Sequence, residues 1–461
     1  MTLIKSISGI RGTIGGKPGD TLSPIDAVKF AAAYGTWLKQ EKHSSYKVIL
    51  GRDARLSGEM ISNLVANTLI GLGINVIDLG LSTTPTVEVM VTKLEAQGGI
   101  ILTASHNPIQ WNALKLLNGR GEFVNAADGA AILEIAESEQ IEFAEVHDLG
   151  NYSSYDNAIE EHINSILALD SVDVEAIKAA NFKVAVDAVN STGGIAIPTL
   201  LKQLGVNQVV ELYCEPNGHF PHNPEPLKEH LGDIMHAVVE HGCDLGIVVD
   251  PDVDRLALIA EDGSMFGEEY TLVAVADYLL ARTPGHTVSN LSSSRALRDV
   301  AAKHNSTYSA SAVGEVNVVT EMKATNAIIG GEGNGGIILP ALHYGRDSLV
   351  GVALFLTHLA KLGTTVSALR KSYPEYFMAK KKINLEAGMD VDGILDAIAD
   401  KYKHEQLSTI DGVKIDFAEG WVHLRKSNTE PIIRVYTEAA TQQEADALGD
   451  RFVSELAELA R

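Results

Sequence analysis

The sequence predicts an α/β protein of three similar domains with mixed, mostly parallel sheets, closed by a smaller C-terminal α+β domain. Length is the first observation, because 461 residues exceed the roughly 250–300 at which a single hydrophobic core stops growing. The second is a strand, turn, helix, strand grammar that occurs three times. The third is its replacement near the C-terminus by short alternating strands between two helical patterns.

In the first repeat, Lys47-Val-Ile-Leu-Gly-Arg-Asp53 is an apolar run ending in a turn; a helical pattern then reaches Leu72-Gly73, and a strand covers Ile74 to Leu79. In the second, Lys183 to Ala188 leads into Asn190-Ser-Thr-Gly-Gly194, a helix from Ile195 to Leu204, and a strand from Gln208 to Leu212. The third runs from Thr287 to Leu291, through Ser292-Ser-Ser294, along a helix to His304, and into Thr307 to Ser311. Apolar strands alternating with amphipathic helices point to parallel central strands. The last region predicts a helix over Val391 to Lys403, strands at Val413 to Phe417, Trp421 to Arg425 and Ile432 to Tyr436, and a closing helix from Gln442 to Leu459. Expected domains are 1–150, 151–257, 258–372 and 373–461, with joints near Asp148 to Asp156 and Arg370 to Tyr376, where Pro374 breaks a helix.

Composition narrows the function classes. A net charge of −23, from 37 Lys and Arg against 60 Asp and Glu, repels nucleic acid. Screening over about 8 Å at physiological salt lets a phosphorylated metabolite approach, provided that the pocket is locally basic. No apolar run reaches the roughly 20 residues of a membrane span. Met1 to Gly16 has no apolar stretch after a basic start, and Cys214 and Cys243 are the only cysteines, so a cytoplasmic chain is expected.

Four segments could carry chemistry. Gly98-Gly-Ile-Ile-Leu-Thr-Ala-Ser-His-Asn-Pro108 is an apolar strand that stops at a polar loop, which puts Ser105 at a strand's carboxyl end, where α/β sheets bind ligands. His106 is placed to activate or orient it, and Lys115 lies downstream. A plain Ser/Asn/Pro turn is the competing reading, and no G-x-S-x-G elbow surrounds this serine. Asp250, Asp252 and Asp254 alternate along an extended chain and so project to one side, where a hard cation such as Mg²⁺ suits them. An EF-hand calcium loop competes, with Glu261 at its twelfth position, but Arg255 stands where that loop needs glycine and Leu256 to Ala260 continues as a strand. Arg255 is better used on a phosphate.

Gly330-Gly-Glu-Gly-Asn-Gly-Gly336 allows close backbone approach, with Glu332 and Asn334 placed to bond vicinal hydroxyls; a ligand-free hairpin turn competes. It is neither a Walker loop nor a dinucleotide fingerprint. Arg425-Lys-Ser-Asn-Thr-Glu-Pro-Ile-Ile-Arg434 gathers two guanidinium groups, an ammonium, two hydroxyls and an amide, a set suited to a dianionic phosphate, against the alternative of a solvated charged turn. Arg11, in Ser8-Gly-Ile-Arg-Gly12, is a weaker candidate.

Taken in order, these segments resemble the α-D-phosphohexomutase superfamily over nearly the whole chain. The matching pieces are Thr103 to Pro108, Asp250 to Arg255, Gly331 to Gly335 and Arg425 to Arg434. The resemblance implies a heart-shaped, four-domain fold around a central cleft. It implies that Ser105 is a phosphoserine sharing Mg²⁺ with Asp250, Asp252 and Asp254, that Lys115 is the general acid/base, and that Arg11 and Arg255 attend the transferring phosphate. Glu332 would bind sugar hydroxyls; Arg425, Ser427, Asn428, Thr429 and Arg434 would hold the phosphate that is not reacting. It further implies a hexose bisphosphate as activator, a sugar phosphate as partner, and a monomer or homodimer.

The resemblance breaks at three positions. Asn334 and Gly336 stand where relatives often carry serine and histidine, and Ser8 where tyrosine is frequent. The first two substitutions resemble branches that contain phosphoglucosamine mutases and dual phosphomannomutase/phosphoglucomutases, with glucosamine phosphate as the first choice of substrate. A metal-dependent sugar phosphatase and a catalytically silent binding protein are the alternatives of a different class.

Overall fold

The computed structural model describes residues 2–6, 9–384, 390–426 and 432–459. The chain divides into two compact units, residues 1–278 with 334–370, and residues 279–333 with 371–461. In the first unit, seven strands form one sheet in the order Ile4–Ser6, Gly9–Thr13, Trp111–Asn118, Gly98–Leu102, Lys47–Arg52, Asn75–Leu81, Tyr152–Ser154. The last four run parallel; the first three join antiparallel. The expected mixed sheet is therefore present.

Local sequence explains how this sheet is covered. The helix Pro24–Leu38 begins at a capping box, in which Ser23 and Asp26 satisfy each other's backbone N–H, with Pro24 preset for the first turn. Its Phe30, Ala31 and Tyr34 pack with Ile61, Val65 and Leu69 of Gly58–Gly71 against Val48, Leu50, Ile100 and Leu102 of the strands. A second sheet orders Leu256–Ala260, Leu245–Val249, Lys183–Asp187 and Gln208–Leu212, parallel except for its first pair.

The second unit holds three parallel strands, Thr307–Ser311, His286–Asn290 and Ile329–Glu332. Its C-terminal part is a fully antiparallel sheet in the order Phe377–Asn384, Ile432–Ala439, Gly420–Lys426, Val413–Asp416, Gln406–Ser408. Helices Val391–Lys401 and Gln442–Leu459 supply Ile394, Leu395, Ile398, Phe452 and Leu456 to the core over it. This is the α+β part the sequence predicts.

Expected and observed elements agree closely where periodicity is strong. Gln208–Leu212, Thr307–Ser311 and Gln442–Leu459 have the expected bounds. The antiparallel strands differ. Gly9–Thr13 is punctuated by glycines, and Trp111–Asn118 is buried along nearly its whole length, so neither shows period-two alternation. Phe377–Asn384 carries Lys380, Lys381 and Lys382 at a sheet edge, where lysines guard against pairing with another chain.

Gly98 opens the strand that leads to Ser105, and a methyl there would meet Tyr34 Oη at 2.1 Å and the Leu117 carbonyl oxygen at 2.8 Å. Tyr34 Oη donates to that same carbonyl at 2.6 Å. Gly98→Ala is expected to lower unfolding free energy by about 1–3 kcal/mol through overpacking, read as a lower urea midpoint with unchanged slope.

Candidate active site

The strand Gly98–Leu102 is buried at all five positions, so it ends abruptly where the chain turns polar. Ser105 follows in the left-handed region at φ 49°, uncommon for a residue with a side chain. Its N–H donates to Thr103 Oγ1 at 2.9 Å. The hydroxyl donates to Asp250 Oδ2 at 2.6 Å and stands 3.3 Å from His106 Nδ1. The serine loop and the acidic loop thus meet.

Asp250, Asp252 and Asp254 follow the buried strand Leu245–Val249 and are themselves 0% exposed. Their donor oxygens lie within 4.8 Å of one another. Between them Val253 takes φ 64°, a costly conformation for a β-branched residue, which turns the loop tightly. Asp250 Oδ1 accepts the Asp254 and Arg255 N–H groups at 3.2 and 3.1 Å. Asp252 Oδ2 accepts Thr84 Oγ1 and Lys115 Nζ, both at 2.6 Å. Asp254 Oδ2 accepts Arg346 Nη2 at 2.6 Å.

Two oxygens are left over. Asp252 Oδ1 and Asp254 Oδ1 are buried without a hydrogen-bond partner among the described residues, a costly state unless a cation answers it. Burial, then Asp252 and Asp254, push the Asp250 carboxyl well above its ordinary range. Burial also opposes ionisation of Asp252, but Lys115 outweighs it and holds that carboxyl low. Buried carboxylate oxygens left without a partner, in a cluster lined only by oxygen ligands, fit a hard divalent cation. The calcium-loop alternative does not fit: Glu261 turns to Ser367, accepting its N–H at 3.0 Å and its hydroxyl at 2.5 Å.

Cationic side chains surround the trio. Burial pulls the Lys115 pKa down, but Asp252 and Asp254 together leave it raised, as an ammonium. The register that pairs Arg11 with Ala113 puts Arg11 on the same sheet face as Lys115. Its pKa is lowered by burial and by Arg255, with Arg346 adding to the effect, so three guanidinium groups gather here. Arg255 Nε is buried with no hydrogen-bond partner among the described residues, while its Nη1 reaches Glu225 Oε1 at 3.4 Å. His106 is held by burial and Arg255 down to about 2. At that low basicity the imidazole beside the serine hydroxyl is neutral.

The glycine segment serves packing more than the sequence suggests. A methyl on Gly335, at φ +83°, would lie 2.1 Å from the Leu256 carbonyl oxygen, and one on Gly336 would lie 2.3 Å from Arg346 Cδ. A side chain at position 336 would therefore collide with Arg346, which holds Asp254. Asn334 Oδ1 accepts the Gly336 N–H at 3.2 Å. In the second unit, Glu332 is 6% exposed and its Oε1 accepts Asn290 Nδ2 at 3.0 Å and the Gly314 N–H at 3.2 Å.

The C-terminal sheet places Arg425 directly opposite Arg434, and Arg434 opposite Lys382. Three cations in one cross-strand row repel one another unless an anion joins them. Arg425 Nε also stands 2.8 Å from Asp411 Oδ2. Ser427, Asn428 and Thr429 lie outside the described residues. Lys382 escapes sequence reasoning because only the register brings it beside Arg434.

A buried network behind the acidic loop was also invisible in the sequence. His162 Nε2 and His343 Nε2 stand 3.0 and 3.3 Å from Asp347 Oδ2, His162 Nδ1 stands 3.1 Å from Thr86 Oγ1, and His343 Nδ1 stands 3.3 Å from Glu88 Oε2. Two imidazoles and a carboxylate also suit a transition metal. Here each ring nitrogen already faces a protein oxygen, and a doubly protonated His343 answers both carboxylates. Burial disfavours that imidazolium, but Asp347 and Glu88 outweigh it and raise the pKa to about 10.

A folded pKa raised above the unfolded value of about 6.5 stabilises the protein fully below that value, and the contribution is lost as pH rises toward 10. His343→Gln is expected to be less stable than the parent at pH 6, with the gap narrowing by pH 10, measured by urea unfolding across that range.

Comparison with known proteins places this geometry in context. Phosphoglucomutase/phosphomannomutase alpha/beta/alpha domains I, II and III match residues 3–142, 160–263 and 267–376, and the C-terminal domain of the same family matches 379–455. A Thermococcus kodakarensis protein named "Phosphoglucomutase/phosphomannomutase" is 36% identical over 94% of this chain and 95% of its own length. A "Probable phosphoglucosamine mutase" of Pyrococcus horikoshii is 32% identical over 96% and 95%. Among solved structures, a phosphoglucomutase/phosphomannomutase family protein from Burkholderia thailandensis superposes with a TM-score of 0.86 at 25% identity, covering 99% of this chain and 98% of that one.

Proposed function

The chain belongs to the phosphoglucomutase/phosphomannomutase family, and on that premise we propose that it moves phosphate between the 6- and 1-positions of a hexose phosphate through a phosphoserine at Ser105. The observation that carries this reading is the hydrogen bond from Ser105 Oγ to Asp250, across 145 residues of chain. It joins a nucleophile-bearing strand end to a buried acidic cluster. Asp250, Asp252, Asp254 and an oxygen on Ser105 would hold Mg²⁺, which when bound offsets charge on a transferring phosphoryl group.

The chain's own residues account for the rest of the cycle. In the first half-reaction the Oγ–P bond of phospho-Ser105 breaks as phosphorus bonds the free hydroxyl of the hexose phosphate, and a bisphosphate results. Lys115 is the proposed acid/base. In each half-reaction the ammonium gives a proton to the oxygen leaving phosphorus, and the resulting amine takes the proton of the attacking hydroxyl and becomes an ammonium again. Arg11, Arg255 and Arg346 offer guanidinium charge to the equatorial oxygens, while His106 orients the serine. Reorientation of the bisphosphate presents its other phosphate to Ser105, which takes it back. Glu332 and Asn334 bond sugar hydroxyls; the row of Arg425, Arg434 and Lys382, with Ser427, Asn428 and Thr429, holds the distal phosphate. The joint near Arg370 to Tyr376 is the proposed hinge.

Glucosamine 6-phosphate is the proposed substrate, supported by the Asn334 and Gly336 substitutions and by the name of the Pyrococcus relative. Glucose or mannose phosphate is the second reading, favoured by the name of the Thermococcus relative. A coupled assay with the three hexose 6-phosphates, each primed with its bisphosphate, decides between them. Intact mass is expected to show a phosphate adduct that Ser105→Ala abolishes. Release of inorganic phosphate without interconversion would instead identify a phosphatase.

Two substitutions test the acidic trio and the cationic row separately. Asp252→Asn is expected to remove most metal-dependent turnover, because it deletes one ligand charge, and to lower the unfolding midpoint, because the buried Lys115 ammonium loses its nearest carboxylate. Arg434→Ala is expected to raise KM with little change in kcat, since a distal phosphate contact holds ground and transition states alike; a selective loss of kcat would contradict that role.

A further inference from the structure

The serine loop is gripped by a residue that none of the four motifs contains. Arg55 follows the strand Lys47–Arg52, and its side chain is 0% exposed. A guanidinium has five N–H donors, and all five are used. Nε donates to Asp53 Oδ2 at 3.0 Å. Nη1 donates to the carbonyls of Pro108 at 2.7 Å and Trp111 at 3.0 Å, and Nη2 to those of Ser105 at 2.5 Å and Asn107 at 2.6 Å. The Phe220 ring covers the group, its centroid 5.1 Å from Cζ.

The same short turn reaches both sides of the site. Asp53 Oδ2 also accepts Thr103 Oγ1 at 2.7 Å, and Thr103 Oγ1 in turn accepts the Ser105 N–H. Ala54 donates its N–H to Ser191 Oγ at 3.2 Å, and Ser191 Oγ donates to the Pro251 carbonyl, between the metal-loop aspartates, at 2.7 Å. Gly218 lies against this turn so closely that a methyl there would stand 2.0 Å from the Ala54 carbonyl oxygen. One turn therefore holds the serine loop by its carbonyls and the acidic loop by its backbone.

We propose that Asp53, Arg55 and Thr103 form a positioning clamp that keeps Ser105 in its left-handed conformation and sets the distance between its Oγ and the acidic trio. The role deepens the phosphoserine mechanism and rests on it for its kinetic consequence. None of the three touches the reacting atoms; they act through the position of Ser105. Left-handed backbone at a serine costs free energy and persists only where neighbours over-determine it, which four carbonyl acceptors on one rigid fork achieve. An ammonium has three donors and no fork, so lysine keeps the charge opposite Asp53 and loses most of the grip.

The test uses the full chain carrying Arg55→Lys. Expected results are a retained cooperative unfolding transition, amide exchange of residues 103–111 faster by about tenfold, and kcat lower by about 100-fold with KM little changed. A purely fold-supporting arginine would lower the active fraction and the unfolding midpoint without accelerating exchange in that loop selectively. Unchanged loop exchange in a folded Arg55→Lys protein overturns the clamp. If that variant does not fold, Thr103→Ser and Thr103→Ala replace it: the serine variant is expected to keep the parent's loop exchange and the alanine variant to lose it, and equal behaviour of the two overturns the proposal. If the parent interconverts no hexose phosphate, the mutase reading fails, while exchange still decides the clamp.

Discussion

Three carboxylates without solvent access, one of them bonded to a serine hydroxyl, impose the constraint from which the first unit's site follows. Taking an ion out of water costs several kcal/mol, and like charges this close raise the cost further. The chain answers with cations and donors brought from remote segments: Thr84, Lys115 and Arg346 on Asp252 and Asp254, and two backbone N–H groups on Asp250. Two oxygens remain unanswered among the described residues. That remainder suits the cluster to a hard cation.

Strain is placed where geometry must be exact to a fraction of an ångström. Ser105 and Val253 both adopt left-handed backbone, one in each of the two loops that meet. Neither conformation is favourable for its residue type. Each follows a fully buried strand, so the loops begin from fixed points, and the turn containing Asp53 to Arg55 ties them together. The rigid sheet supplies the anchor; the loops carry the chemistry.

The second unit presents the opposite electrostatic problem. Arg425, Arg434 and Lys382 align across adjacent strands, a cationic row that calls for an anion as the acidic trio calls for a cation. Against a net charge of −23, such a row is a local exception to the overall field. Glu332, fixed by Asn290 and the Gly314 N–H in the same unit, adds an acceptor suited to hydroxyl groups.

Periodicity and local chemistry in the sequence were enough for the three strand, turn, helix, strand repeats, the α+β ending, and the four segments that bear Ser105, the aspartates, Glu332 and the arginines. These signals are local: an apolar run and the polar turn that stops it stand next to each other in the chain. The strands Gly9–Thr13 and Trp111–Asn118, with Arg55, Thr84, Arg346, Lys382 and the buried histidines, carried no such mark, because a lone arginine or lysine has the same sequence appearance on a surface as in a site. Only the tertiary structure decided which of them meet the trio or the loop, since register and strand order bring together groups up to 168 residues apart. Contact at that separation is fixed by packing of whole sheets, and no window of sequence contains it.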